Sequence, residues 1–323
     1  MKKHKICKIL LVILAIFLCV AFYELLGICV AYKKQPEVSN TTKKETKNGS
    51  WNECSENTER AVIIEKNPEA LLQRVRLIKN AKKEIILSTF AFQSDESGKL
   101  ILGALHDAAD RGVHIRLLVD GMESWIDMEG NPYFYGLSSH ENVEIKLYNK
   151  ANPLKPWKMM GRMHDKYLIA DGKRYILGGR NTYNYFLGDF PGHKNYDRDV
   201  LVVCDEPEKE NSVNQLSEYF ETIWNQEDSS YFHNNKKLAN RKSVKNAVLE
   251  LQNGYQKYFE ENKERICDTD YTDETFETEK IALVSNPIHT GSKEPVVWYQ
   301  LGELMKNAKN RVKIHTPLSL IHI

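Results

Sequence analysis

The sequence predicts an α/β fold, and two observations carry that prediction. Residues 84–90 and 114–120 read as apolar, buried strands separated by a helix over 98–110, the alternation that lays helices against a sheet. In addition, the run from Leu77 to Thr89 is echoed from Leu304 to Thr316, an offset of 227 residues that marks an internal repeat.

The chain of 323 residues is long enough for more than one domain-sized unit. Its 45 Lys plus Arg against 44 Asp plus Glu give a net charge of +1, which argues against a strongly basic nucleic-acid binder. Of six cysteines, Cys7, Cys19 and Cys29 lie in or beside the N-terminal apolar run, and Cys54, Cys204 and Cys267 are too scattered to read as a zinc site or a disulfide framework.

Taken in order, residues 1–8 form a basic tail with Lys2, Lys3, Lys5 and Lys8. Residues 9–32 are apolar apart from Glu24 and long enough to span a bilayer as a helix. A cleaved signal peptide has a shorter apolar core, so the continuation to Tyr32 favours an uncleaved single-pass anchor. The lysines before the run place the N-terminus in the cytoplasm and the rest of the chain outside it, although Lys33 and Lys34 weaken the asymmetry. Residues 33–60 are polar and read as a flexible stalk.

The main α/β unit is expected over 61–225. Asn67-Pro68 opens a helix, with Asn67 as the cap and Pro68 at the first helical position, followed by an apolar stripe at Leu71, Leu72, Val75, Leu77 and Ile78. Residues 122–137 and 149–163 read as loops carrying Trp125, Tyr133, Phe134, Trp157, Met159 and Met160, placed to meet acyl chains or glycerol or simply to pack. His106 and His114 have no partner spacing and read as structural. Residues 208–224 carry a helical stripe that core packing explains.

Within this unit, His164, Lys166 and Asp171 are spaced H-x-K-x4-D, followed by Gly178-Gly179-Arg180-Asn181. On a strand, residues two apart leave the same face, so the imidazole of His164 and the ammonium of Lys166 point into one place. Asp171-Gly172 is a tight-turn signal between two strands, and Gly178 and Gly179 let the backbone approach a ligand. A neutral imidazole can attack phosphorus, while Lys166 and Asn181 can hold charge developing on the phosphoryl oxygens; this requires no metal and no cofactor.

The string resembles the HKD signature of the phospholipase D superfamily, and with Tyr185-Phe186 and Asp197-Arg198-Asp199-Val200 it looks most like the branch containing bacterial cardiolipin synthases. The resemblance implies a sandwich of a mixed β-sheet flanked by helices, built as a pseudo-twofold repeat. It further implies two such motifs meeting at one site, with one histidine phosphorylated and the other protonating the departing alcohol. By the same resemblance Asp171 orients or balances the site, Gly179 and Asn181 bind the substrate phosphate, and Asp199, or else Asp197, supports the opposite histidine.

Residues 226–280 read as a connection containing a helix over 243–266, and 281–323 as the start of a second half opening on a strand at 281–285. A second His-x-Lys would fall at about position 391, and neither His289, His315 nor His322 supplies one. The second motif is therefore expected from a longer chain or from a homodimer partner. The function expected is a membrane-anchored phosphodiesterase or phosphatidyltransferase acting on phospholipids, forming phosphatidic acid or cardiolipin. The alternatives are a nuclease of the same chemistry, disfavoured by the neutral charge, and a non-catalytic phospholipid-binding fragment.

Overall fold

The computed structural model describes residues 2–49, 59–204, 211–233 and 235–313. From the N-terminus, helix α1 (Lys2–Tyr32) and helix α2 (Asn40–Asn48) precede strand β1 (Glu59–Ile64). Helix α3 (Asn67–Asn80), β2 (Glu84–Thr89), α4 (Glu96–Asp110) and β3 (His114–Asp120) follow, then α5 (Gly121–Asp127), α6 (Pro132–Ser138) and β4 (Val143–Tyr148). The hairpin β5 (Tyr167–Ala170) and β6 (Arg174–Gly178) leads to β7 (Asp199–Cys204), α7 (Ser212–Trp224) and β8 (Ser229–Tyr231). Helices α8 (Lys242–Glu261) and α9 (Lys263–Cys267), the short strand β9 (Phe276–Glu277) and α10 (Val296–Asn307) complete the order.

Among the described residues, all nine strands form one mixed sheet in the order β8-β4-β3-β2-β5-β6-β7-β1-β9. Only β2–β3 and β3–β4 pair in parallel, because those are the steps bridged by helices rather than hairpins. Alternate strand residues divide between two cores, as the period of two requires. Ile85, Leu87, Ile115 and Leu117 pack beneath α3, α4 and α8, whereas Ile86, Leu118, Ile169 and Val202 pack with Leu216, Phe220 and Trp224 of α7. This is the mixed sheet flanked by helices that the sequence predicts.

The β5–β6 turn forms where Asp171-Gly172 signals it. Both residues take positive φ, 54° and 61°, and Lys173 N–H closes the turn on Ala170 O at 3.1 Å. Several expectations are corrected. The cap of α3 is Lys66, not Asn67, whose amide instead donates to Asn195 O at 2.9 Å and accepts from Arg180. Residues 122–137 are two short helices capped by Asp120 and Asn131 rather than a loop. In the expected stalk, α2 is held by a Ser39 cap, Gly49 in the left-handed conformation, and Thr42 Oγ1 donating to Glu294 at 2.7 Å; residues 50–58 lie outside the described residues.

Residues 281–285 form no strand. The edge strands of the sheet are β8 and β9, and this stretch pairs with neither. It lies instead across the α7 side of the sheet, where Ile281 and Leu283 pack on the second core and Leu283 N–H donates to Gln215 at 2.8 Å. The second copy of the repeat begins in the last turn of α10, and residues 308–313 form no strand; 314–323 lie outside the described residues.

Helix α1 contains one stretch, Lys5–Tyr32, long and apolar enough to cross a membrane by length and composition.

Candidate active site

His164 and Lys166 lie on the extended segment that runs into β5, at the end of the strand away from the turn. The spacing of two does bring them together: Lys166 Nζ stands 3.1 Å from His164 Nδ1 and donates to His164 O at 2.7 Å. The Phe90 ring, leaving β2 next door, lies 4.5 Å from the His164 ring between centroids, tilted by 55°. Its π face also receives Lys166 Nζ at 5.4 Å and the Arg162 guanidinium at 4.9 Å. Phe90 thus gathers the imidazole and two cations on one platform.

Burial and the neighbouring ammonium push His164 below its ordinary pKa of 6.5, so it is neutral at pH 7. Lys166 is buried, and desolvation lowers it to about 8 despite Asp165 and Asp197 nearby. An ammonium offers no lone pair, so a protonated Lys166 makes Nδ1 the acceptor and leaves the ring proton on Nε2. An anion that draws the ammonium away frees Nδ1 to carry that proton and exposes the Nε2 lone pair.

A cavity of about 370 Å³ opens at this point, lined by Arg162, His164, Asp165 and Lys166, by Gly178 and Tyr219, and across the opening by 283–286 and Lys293. Asp165 is partly buried, accepts from Tyr219 OH at 2.7 Å, and is pushed up by desolvation. Asp120, at the C-terminal end of β3, secures the approach to His164. Its carboxylate receives Arg162 Nε at 2.9 and 3.0 Å and Met163 N–H at 3.1 Å while capping α5 through Met122 N–H at 3.0 Å. Arg162 is matched by Asp120 and Glu123, so Lys166 and Lys293 are the cavity cations left to meet a phosphate.

The other members of the string are placed elsewhere. Asp171 lies at the far end of β5, about 16 Å from Lys166 along an extended chain. Its carboxylate there accepts three backbone N–H bonds, from Lys82 at 2.8 Å, Lys83 at 2.7 Å and Glu84 at 3.0 Å, pinning the β5–β6 turn to the start of β2. Gly179 faces no ligand space: a Cβ there would collide with the Asp197 carboxylate, and one on Gly178 with Asp199. The glycine pair admits the returning 197–199 chain, and an adjoining carboxylate is the wrong neighbour for a phosphate.

Asn181 is buried, accepts from Ala91 N–H at 3.2 Å and bonds the Tyr183 hydroxyl, tying the exits of β2 and β6 together; it does not line the cavity. Asp199 is fully buried between Arg74 at 2.8 Å and Arg180 at 3.2 Å, where its charge is matched inside the protein. Asp197 is the one of the two acidic residues that Lys166 senses. His106 bonds Asp110 at 3.1 Å and His114 lies near Glu84 and Glu144, both away from the cavity. Among the described residues there is no group of three or more His, Cys, Asp or Glu able to hold a metal.

Sequence reasoning missed Phe90, Asp120, Arg162, Tyr219 and Lys293. Asp120-Gly121 at the close of a buried strand was the one readable signal, since a carboxylate ending an apolar run and preceding a glycine marks a strand-to-helix cap. The remainder come together only through sheet order.

Residues 74–224 match the family model described as cardiolipin synthase, PLD-like domain. That match identifies a phospholipase D-like domain over this part of the chain. It is 30% identical over 212 residues to an uncharacterized protein of Helicobacter pylori, covering 61% of this chain and 39% of that one. It is 30% identical over 154 residues to cardiolipin synthase C of Escherichia coli, covering 43% of this chain and 31% of that one. The chain thus spans less than two fifths of the length of these relatives. Among solved structures, NucT from Helicobacter pylori aligns with a TM-score of 0.42 at 16% identity, covering 54% of this chain and 99% of that one. The match over 74–224 takes in Asp120, the segment from Arg162 to Lys166, and Tyr219, which together surround His164.

Proposed function

We propose that this chain is a membrane-anchored phospholipase D-type phosphodiesterase or phosphatidyltransferase that acts on phospholipids through a phosphohistidine at His164. The observation that carries the reading is the pairing of a neutral, half-exposed imidazole with a buried ammonium at 3.1 Å in an open cavity. Binding of the diester phosphate draws Lys166 off Nδ1, and His164 Nε2 attacks phosphorus. The P–O bond to the headgroup alcohol breaks, and the alcohol leaves with a proton from a general acid. Water then attacks the phosphohistidine to give phosphatidic acid, or a second lipid alcohol such as phosphatidylglycerol attacks to give cardiolipin; in both cases His164 is regenerated.

Lys166 and Lys293 supply the positive field for the phosphoryl oxygens. Phe90 and Asp120 hold the imidazole and Arg162 in place. The general acid belongs to a second motif, contributed by a further half of the protein or by a partner copy. With the lysine-rich start of α1 in the cytoplasm, the catalytic unit stands on the extracytoplasmic side.

The test uses detergent-solubilised protein and its His164→Ala variant with phosphatidylglycerol labelled in the phosphate. Acid-labile label on the wild type and none on the variant is the expected result. Label on neither protein, together with cleavage of single-stranded DNA by the wild type, would replace the lipid reading with the nuclease one.

A further inference from the structure

Helix α1 does not stand clear of the catalytic unit. Its C-terminal third packs on the 152–160 loop, where Tyr23 OH donates to Leu154 O at 3.1 Å and Gly27 lies so near Pro156 that a Cβ would be 2.5 Å from Cγ. Tyr32 OH reaches Thr290 O at 2.7 Å. The same loop presents Leu154, Trp157 and Met160 to the outside, 77%, 45% and 57% exposed.

The length of α1 sets the depth of that loop. A hydrocarbon layer of about 30 Å takes about 20 helical residues. Counted from Ile9, the first residue after Lys8, the layer ends near Ile28. Gly27 and Pro156 then lie at the hydrocarbon boundary, and Tyr23 with its partner Leu154 lies about 7 Å deeper. Exposed apolar side chains at that level meet lipid rather than water, and a tryptophan is the side chain most at home there.

Behind the loop a cavity of about 790 Å³ is bounded by Tyr32, Met160, Arg162, Lys293 and Trp298. Arg162 and Lys293 also line the cavity at His164, so the two spaces adjoin. One end of this passage is apolar and lies at the bilayer; the other is cationic and lies at the nucleophile.

We propose that the 152–160 loop is a lip inserted into the leaflet at the C-terminal end of α1, and that the cavity behind it passes a phospholipid from that leaflet to His164, headgroup first. Leu154, Trp157 and Met160 contact acyl chains while Lys293, which lines both cavities, conducts the phosphate inward to Lys166. The occupant is the lipid bilayer itself, fixed by continuity with the membrane helix. This rests on the phospholipid reading of the site.

The full chain is reconstituted in phosphatidylglycerol vesicles carrying doxyl groups at shallow or deep acyl positions. Tryptophan quenching is compared between wild type and Trp157→Phe. The expected result is quenching by the shallow doxyl lipid that is lost in Trp157→Phe; quenching of Trp157 by aqueous acrylamide alone would overturn the lip. In a second arm, Leu154→Ser/Trp157→Ser/Met160→Ser should raise the apparent KM for vesicles about tenfold with kcat/KM on a soluble phosphodiester such as bis(p-nitrophenyl) phosphate unchanged. Equal losses on both substrates would overturn the proposal. Absence of turnover by the wild type on vesicles would count against the phospholipid reading, and the quenching arm would still decide the lip.

Discussion

Replacing Asp171 separates a structural role from a chemical one. Its carboxylate holds three backbone N–H groups at 2.7 to 3.0 Å in a half-buried position, at the end of β5 opposite His164. Because the released N–H groups regain some water, each bond is taken at the lower end of the usual range, giving about 2 kcal/mol for the three. Asp171 also sits at φ 54°, which an aspartate or asparagine tolerates and an alanine does not, adding about 1 kcal/mol. Asp171→Ala should therefore lose about 3 kcal/mol and Asp171→Asn, with its single acceptor oxygen and left-handed tolerance, about 1 kcal/mol. Asp171 is about 16 Å from Lys166 along the strand, further than a Debye length at physiological salt, so its charge is largely screened from the site. Denaturant titration of the detergent-solubilised protein by circular dichroism measures the stability, and single-turnover phosphate labelling of His164 under folding conditions measures the chemistry. Wild-type stability in Asp171→Ala combined with lost labelling would refute the reasoning and return Asp171 to the reaction.

The pH profile of kcat/KM should be bell-shaped. It rises as His164 loses its proton at a pKa below 6.5 and falls as Lys166 loses its own at about 8. In Lys166→Arg the alkaline limb should move beyond about pH 10, and an unmoved limb would show that another group sets it. Asp199→Ala leaves Arg74 and Arg180 buried without their shared anion and should cost about 3–5 kcal/mol in the same denaturant titration. Asp120→Ala frees Arg162 and Met163 N–H beside the nucleophile and should slow single-turnover labelling about 100-fold, with a smaller change in lipid binding measured by vesicle flotation.

The sequence by itself determined what is local. A separation of two on an extended chain puts His164 and Lys166 on one side whatever surrounds them. Asp171-Gly172 fixes a turn because both residues accept positive φ, and apolar runs over 84–90 and 114–120 have few places to be but the interior of a sheet. The helix from Lys2 to Tyr32 follows from the length of its apolar run.

Tertiary structure decided which of the motif's residues share a site. The motif string runs down β5 and back along β6, so its middle lies a strand's length from its start: His164 and Lys166 open onto the cavity, while Asp171 closes the turn at the opposite end. Asp199 and Gly179 took their roles from partners distant in sequence, namely Arg74 and Arg180 for the carboxylate and the incoming Asp197 for the glycine. Phe90 and Asp120 reached His164 because β2 lies next to β5 in the sheet and β3 next to β2. Residues 281–285 carry an apolar pattern, but Ile281 and Leu283 pack on the α7 side of the sheet rather than pairing with an edge strand. Backbone dihedrals and the side-chain period are properties of neighbours in sequence, whereas charge pairing and ladder partners are properties of neighbours in space.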